Sequence, residues 1–187
     1  LKKLTNIAFV PTMGNLHDGH LKLIEEALKK TKYVVVSIFI NPLQFNSKDD
    51  FKNYPRTLDE DLLMLQKLDV PFVFVPSKED IIDSSQTIEI HLSDIANDLC
   101  GRFRPGHFNG VATIVCKLFN LIQPELAFFG KKDFQQLFLI KELVKQLNYP
   151  IHIIAIDTVR HKDGLAKSSR NNLLSKEDRK KAPQLFE

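Results

Sequence analysis

Apolar residues along this chain alternate between short continuous runs and stretches with helical spacing. A continuous run predicts a strand covered on both faces, whereas apolar residues three and four apart predict an amphipathic helix. The predicted strands are 7–10, which Pro11 closes, 34–40, 72–75, 125–129 and 151–156. The predicted helices are 18–30, 58–68, 111–121 and 134–147. Strands alternating with helices indicate an α/β fold, a Rossmann-like parallel sheet with helices on both faces.

Two further segments have local patterns of their own. Thr87–Leu92 alternates apolar and polar residues, which predicts an edge strand with one solvent-exposed face. Ser175 followed by Asp178 resembles a capping box and predicts a last helix.

Composition and charge narrow the class of protein. The 187 residues correspond to one domain of about 150 residues with a small appendage. With 43% hydrophobic and 26% charged residues, the chain is typical of a soluble globular protein. The net charge of +3 arises from interspersed signs, which suits anionic small ligands and does not call for a nucleic acid. The apolar runs are far shorter than the ~20 residues that span a bilayer, so no membrane partner is expected.

The cysteines and the chain ends add two expectations. Cys100 and Cys116 do not form a CxxC pair, so we predict two core thiols in a reduced cytosolic compartment. The chain begins at Leu1 without an initiator Met and ends directly after a helical pattern. We therefore expect a trimmed chain or a domain cut from a longer one.

The common phosphate-binding motifs are not present. GxGxxG is absent from the sequence. Gly14 and Gly19 have the spacing of a P-loop, but His20 and Leu21 stand where that motif needs Lys and Ser or Thr. The chain therefore lacks both the phosphate-binding ammonium and the magnesium-binding hydroxyl of a P-loop.

The first strand–helix turn offers a different anion site, His17-Asp18-Gly19-His20. Two imidazoles three residues apart at a helix start can face the same way, beside the free N–H groups and positive dipole end of the helix. Gly19 lets a ligand approach the backbone closely. This arrangement suits a polyphosphate, although the same pattern also fits two solvated capping histidines.

Two later segments can bring positive charge to the same sheet edge. Lys167–Asn171 is a loop with two cations and two hydroxyls, and Gly130–Asp133 follows a predicted strand and opens a helix. Asn41 and Gln44 follow the second predicted strand on that edge. Ligands of parallel α/β sheets bind beyond the carboxyl ends of the strands, so we expect these segments to converge there. Taken alone, the loop is better explained as a solvated basic surface.

Six strings in the right order carry a family resemblance. They are PTMGNLHDGH (11–20), NPLQF (41–45), YPRTLDED (54–61), RPGHFNGV (104–111), KLFNLIQPELAFFGKKDFQQL (117–137) and DGLAKSSRN (163–171). Together they resemble the pantoate–beta-alanine ligase (pantothenate synthetase) family of the HIGH-motif nucleotidyltransferase superfamily.

The resemblance implies an AMP-forming carbon–nitrogen ligase of coenzyme A precursor biosynthesis. In this family the pantoate carboxylate attacks the α-phosphate of ATP to give pantoyl adenylate and pyrophosphate, and β-alanine then displaces AMP to give pantothenate. ATP as substrate, Mg²⁺, a cytoplasmic location and a homodimer are implied with it.

The resemblance also implies residue roles. It assigns a catalytic role to His20 (the family's proton donor), His17, Lys132, Ser168, Ser169 and Arg170. The positions that would contact ATP are Met13, Gly14, Asn15, Leu16, His17, Asp18, Gly19, His20, Gly130, Lys131, Lys132, Asp133, Val159, Lys167, Ser168, Ser169 and Arg170. Pantoate and β-alanine would be held by Gln44, Gln136 and Asn41, with Arg104 and His107 at the border. The magnesium ligands stay unknown; Glu60 and Asp61 are candidates, and solvated helix charges are the alternative.

Several features depart from the family pattern. Lys131, His161 and Lys167 stand where the family commonly has Glu, Glu and Met, so the phosphate site gains positive charge. We expect a catalytic domain over 1–174, with 175–187 beginning a truncated C-terminal domain or linker, so that the family's small lid domain is largely missing. Two competing hypotheses follow: a nucleotidyltransferase that adenylylates a phosphorylated acceptor, and a nucleotide-binding fragment without turnover.

Overall fold

A five-stranded parallel sheet forms the centre of this computed structural model, which describes residues 6–83, 85 and 88–186. The strand order is β3-β2-β1-β4-β5. The strands are β1 (Ala8–Thr12), β2 (Val34–Ile38), β3 (Phe72–Phe74), β4 (Leu126–Gly130) and β5 (His152–Ile156). The helices are α1 (Asp18–Leu28), α2 (Lys48–Asn53), α3 (Leu58–Lys67), α4 (Lys78–Ile81), α5 (His107–Ile122), α6 (Phe134–Gln146) and α7 (Lys176–Lys181). The predicted α/β class is confirmed.

Helices cover both faces of the sheet, as the continuous apolar strands predict. Phe9 packs in one core cluster with α5 and α6, whereas its neighbours Ala8 and Val10 pack in the other with α1 and Leu65 of α3. Successive side chains of a strand point to opposite faces, so a strand that is buried on both sides must be apolar throughout.

The strand order reverses between β1 and β4, and a crevice opens there. β1 pairs with β2 through Thr12 but with β4 through Phe9, so β1 and β4 separate beyond that residue. In open α/β sheets such a switch point is where ligands bind. The turn from β1 to α1 and the residues after β4 both lie at this crevice.

Pro11 does not end the first strand, contrary to the sequence expectation. The strand continues through Thr12, with Pro11 opposite Ser37 of β2. The missing N–H of Pro11 is tolerated because β1 has already parted from β4 at that position.

The edge strand predicted over Thr87–Leu92 is wrong for residues 88–92, and Thr87 lies outside the described residues. Instead of pairing in a ladder, the Ile90 N–H donates to Thr113 Oγ1 (2.9 Å) and the Leu92 N–H to Asn109 Oδ1 (3.0 Å). Side chains of α5 thus satisfy the backbone N–H groups of a segment whose apolar and polar residues alternate as in a strand.

Three other expectations need correction or completion. Cys116 is buried but Cys100 is exposed, so only one of the two cysteines is a core thiol. Helix α5 begins at His107, four residues before the predicted start. At the last helix, Ser175 Oγ accepts from the Asp178 N–H (3.1 Å), which is the N-cap bond that the sequence predicts.

No helix within the described ranges has the length and hydropathy to cross a membrane.

Candidate active site

The turn from β1 to α1 forms the centre of the site. Gly14 and Asn15 are both left-handed, with φ of +75° and +50°, which turns the chain sharply out of the strand. Glycine and asparagine are the residues that adopt this conformation most readily. The turn delivers the chain to His17, the N-cap residue of α1.

His17 and His20 cap α1 reciprocally. The Gly19 N–H donates to His17 Nδ1 (3.0 Å), and the His17 N–H donates to His20 Nδ1 (3.3 Å). The two ring centroids lie 4.1 Å apart, so the imidazoles face the same way. Because each Nδ1 accepts a hydrogen bond, each neutral ring carries its proton on Nε2. The histidines are capping residues, and in addition each offers an Nε2–H donor.

Both imidazoles are neutral at pH 7. Burial, the neighbouring His17 and Lys132 together lower the pKa of His20 to about 3. Burial and Lys132 also lower the pKa of His17 below its ordinary 6.5. A neutral imidazole donates a hydrogen bond to an anion without carrying a charge of its own.

The loop after β5 docks on this turn. Lys167 Nζ forms a 2.5 Å ion pair with Asp18, and Ser169 Oγ donates to the Asn15 carbonyl (3.2 Å). Asn15 Nδ2 donates in return to the Ser169 carbonyl (3.4 Å). The Lys167 N–H donates to the Val159 carbonyl (2.9 Å), which ties the loop to the segment that follows β5. The structure therefore brings the basic loop and the histidine turn together.

The other site cations also have carboxylate partners. Lys132 follows β4, lies close enough to both imidazoles to lower their pKa values, and pairs with Asp133 (3.2 Å). The remaining pairs are Lys131 with Asp157 (2.6 Å) and Arg170 with Asp50 (3.1 Å). These pairs are solvent-exposed, so an anionic ligand can replace the carboxylates at little cost.

A second wall of the crevice is made of neutral polar groups. Asn41, 3% exposed, donates from Nδ2 to Gln44 Oε1 (3.0 Å) and to the Gly110 carbonyl (3.1 Å), and accepts from the Leu43 N–H. The buried ring of His107 hydrogen-bonds through Nδ1 to the Gln44 carbonyl (2.7 Å). Asn41 is thus occupied within the protein and holds Gln44, which is itself only partly buried.

The remaining candidate residues lie around these two walls. Gln136 is partly buried in the first turn of α6, one turn beyond Lys132. Arg104 is partly buried, and burial and the nearby Arg170 lower its pKa. His161 hydrogen-bonds within the loop after β5: its Nε2 accepts from Asn171 Nδ2 (3.3 Å).

Asp61 is neither a solvated helix charge nor a fit for a metal ligand. It is 1% exposed, and its Oδ2 and Oδ1 accept the N–H groups of Asn15 (2.8 Å) and Leu16 (2.7 Å). Glu60 is exposed beside it. Among the described residues no group of three or more His, Cys, Asp or Glu side chains could hold a metal ion.

The sequence does not predict the positioning roles of two residues. Asp61 is one, and its signal is Thr57 four residues earlier, whose hydroxyl donates to Asp61 Oδ2 (3.3 Å). Gln135 is the other: its Nε2 donates to the carbonyls of Ile95 and Asp98, and its Oε1 accepts the Cys100 N–H. Nothing local distinguishes Gln135 from Gln136, because its partners lie about 35 residues away in sequence.

Fold and site together define a doubly wound α/β protein with an anion-attracting crevice at its topological switch point. Comparison with known proteins makes this specific. The model of the pantoate–beta-alanine ligase family matches residues 1–187. The chain belongs to that family.

Relatives and solved structures agree with this assignment. The pantothenate synthetase of Methylobacillus flagellatus is 55% identical over 181 residues, which is 97% of this chain and 65% of that protein. The crystal structure of pantothenate synthetase from Thermus thermophilus matches with a TM-score of 0.94 at 45% identity, over 97% of this chain and 66% of that one. The pantoate–beta-alanine ligase of Francisella tularensis, complexed with beta-gamma ATP and beta-alanine, matches with a TM-score of 0.94 at 43% identity, over 100% and 72%. The chain thus spans about two thirds of the length of these relatives.

Proposed function

We propose that this chain carries the site for ATP-dependent condensation of pantoate with β-alanine, through pantoyl adenylate, to pantothenate, AMP and pyrophosphate. The observation that carries the proposal is the pairing of two different walls at one switch point. Imidazoles and cations from three segments form one wall, and amides form the other. The printed names of the relatives and the Francisella complex with ATP and β-alanine support it.

The charged wall suits the first step, in which a pantoate carboxylate oxygen bonds to the α-phosphorus of ATP and the bond to the β-phosphate breaks. Negative charge then grows on the departing pyrophosphate, and fixed donors aimed at it lower the barrier. His17 and His20 would donate from Nε2, while Lys132, Ser168 and Arg170 would contact the phosphates. Arg170 would leave Asp50 to do so.

His20 acts here as a neutral donor. With a pKa of about 3, His20 is a neutral imidazole at pH 7 in the free chain. In that state it can donate a hydrogen bond but has no acidic proton to transfer. The negative charge of bound ATP favours the imidazolium and raises that pKa. Proton donation by His20, the family assignment, therefore depends on the bound nucleotide.

The amide wall suits pantoate, which carries two hydroxyls and a carboxylate. Gln44 and Gln136 can each donate and accept, which a substrate with both kinds of group requires. Asn41 positions Gln44 and does not need to touch the substrate. In the second step the amine of β-alanine bonds to the acyl carbon, the bond to AMP breaks, and the amine releases a proton.

Three further properties belong to the proposal. Mg²⁺ arrives on the phosphates of ATP, because this ion is usually bound by substrate phosphates and water together with only one or two carboxylates. A homodimer in the cytoplasm is the expected state. Sedimentation velocity tests the dimer directly.

The test is product analysis by mass spectrometry. The chain with ATP and pantoate should release pyrophosphate and form pantoyl adenylate, and addition of β-alanine should give pantothenate and AMP in equal amounts. Adenylylation of a phosphate ester, without pantothenate, would instead establish the nucleotidyltransferase hypothesis. Binding of ATP without release of pyrophosphate would mark a nucleotide-binding fragment.

A further inference from the structure

A buried carboxylate lies beneath the histidine turn. The chain turns at the left-handed residues Gly14 and Asn15, and the successive N–H groups of Asn15 and Leu16 point to one anion, an arrangement that binds anions in many proteins. Here the anion is the side chain of Asp61, whose two oxygens each accept one N–H, from Asn15 and Leu16. These two N–H groups are therefore not free to bind a phosphate.

We propose that Asp61 is a positioning residue that fixes the turn carrying His17 and His20 and, through Asn15, the facing Ser169 loop. The inference rests on the proposed function, since the groups that it positions are those assigned to ATP. Asp61 itself does not touch the nucleotide.

The contacts of Asn15 connect the two sides of the phosphate site. Its N–H is held by Asp61, its carbonyl accepts from Ser169 Oγ, and its side chain donates to the Ser169 carbonyl. A shift of Asn15 would therefore move the Ser169 loop as well as the histidine turn. Misplacement of catalytic groups by about 1 Å can cost a hundredfold in rate.

The Asp61 carboxylate is buried and closely packed. A Cβ on Gly14 would lie 2.9 Å from Asp61 Oδ2 and 3.1 Å from Ile38 Cγ2. The Thr57 hydroxyl donates to the same oxygen. Asp61→Asn keeps the size of the side chain, but in either orientation its amide nitrogen, a donor, faces the backbone N–H of Asn15 or of Leu16.

The experiment compares Asp61→Asn with Asp59→Asn, which removes an exposed carboxylate from the same first turn of α3. Amide hydrogen exchange over residues 13–17 is measured on the free chain, and ATP binding is titrated with and without Mg²⁺. For Asp61→Asn we expect about tenfold faster exchange in this segment and about tenfold weaker ATP binding in both titrations. Asp59→Asn should match the wild type in both measurements.

Two results would overturn the proposal. A variant that loses thermal stability while exchange at 13–17 and ATP affinity stay at wild-type values assigns Asp61 a general structural role. Weakening confined to the titration with Mg²⁺ would instead assign it as a metal ligand. Neither result bears on whether the wild type makes pantothenate, so failure of the proposed function is detected separately by product analysis.

If Asp61→Asn does not fold, Thr57→Val decides the question. This nearly isosteric change removes one hydrogen bond to Asp61 Oδ2 and leaves both backbone contacts. A smaller change, about threefold in the same direction in exchange and ATP binding, supports the proposal. Wild-type values in both would refute it.

Discussion

The two walls of the crevice are built in opposite ways. On the charged wall, four cations form ion pairs that are at least partly exposed to solvent: Lys131 with Asp157, Lys132 with Asp133, Lys167 with Asp18 and Arg170 with Asp50. On the amide wall, the 41–45 turn is fixed by buried hydrogen bonds and by close backbone packing against Gly110. Exposed ion pairs contribute little to stability and exchange partners easily, whereas buried amide networks are costly to disturb. The charged wall can therefore rearrange around a polyphosphate, and the amide wall can select by shape.

His20→Asn should give the largest effect, on the charged wall. Asparagine has no group at the position of Nε2–H, so a donor to the phosphates is lost. Removal of one such preorganised donor costs about 10²–10³ in rate. We expect that loss in pyrophosphate release with ATP and pantoate, with thermal stability close to that of the wild type.

His152→Asn is the matched control, because His152 is an exposed histidine at the amino end of β5, away from the crevice. It should release pyrophosphate at the wild-type rate. Turnover by His20→Asn within a few-fold of the wild type would exclude His20 from the reaction.

Gly110→Ala should break the amide wall. A Cβ there would lie 2.2 Å from the Leu43 carbonyl oxygen and 2.9 Å from the Gln44 nitrogen, and both are backbone atoms. The helix and the 41–45 turn must separate, at a cost of about 3 kcal/mol in the free energy of unfolding. Urea denaturation measures this loss.

Gly106→Ala separates steric overlap from backbone strain. Gly106 has a φ of +75°, but nothing lies within 4 Å of the Cβ position. We expect it to cost only the left-handed strain, about 1–2 kcal/mol. Equal losses for both variants would mean that contact with the 41–45 turn does not matter.

The sequence predicts the features that depend on local patterns, but not those that depend on partners distant in the chain. The five strands and the helices on both faces follow from local apolar patterns, and those predictions are confirmed. The failure at 88–92 has a physical cause: alternation shows which side chains face the core, but Thr113 and Asn109 of α5 decide whether the N–H groups join a ladder. Asp61 shows the same limit in the site, since its burial depends on the turn 46 residues before it.

Acid should weaken the fold through the buried histidines, His20 above all. The pKa of His20 is about 3 in the folded chain, whereas in the unfolded chain it has its ordinary value of 6.5. Protonation therefore favours the unfolded state. Its contribution is complete above pH 6.5 and is lost as the pH falls from 6.5 toward 3; His17 and His107, whose pKa values burial also lowers, act in the same direction. Between pH 6.5 and about pH 5 the loss from His20 is about 2 kcal/mol.

Thermal unfolding as a function of pH checks this. His20→Asn should lose less stability than the wild type between pH 6.5 and 5, while His152→Asn should follow the wild type. Parallel curves for the wild type and His20→Asn would show that His20 titrates normally in the folded chain.

Lys167→Met should give the smallest effect and tests whether the charged wall is adjustable. The residue pairs with the largely exposed Asp18, and such pairs contribute about 0–1 kcal/mol. The change should therefore lower stability by less than about 1 kcal/mol, and less still at high salt. It should also raise the pKa of His17, because Lys167 is one of the cations that lower it, and raise that of Asp18, whose main stabilising partner it removes. NMR titration of the two side chains measures both shifts. Unchanged pKa values would mean that Lys167 does not hold this position over the turn in solution, and that the charged wall forms only around its ligand.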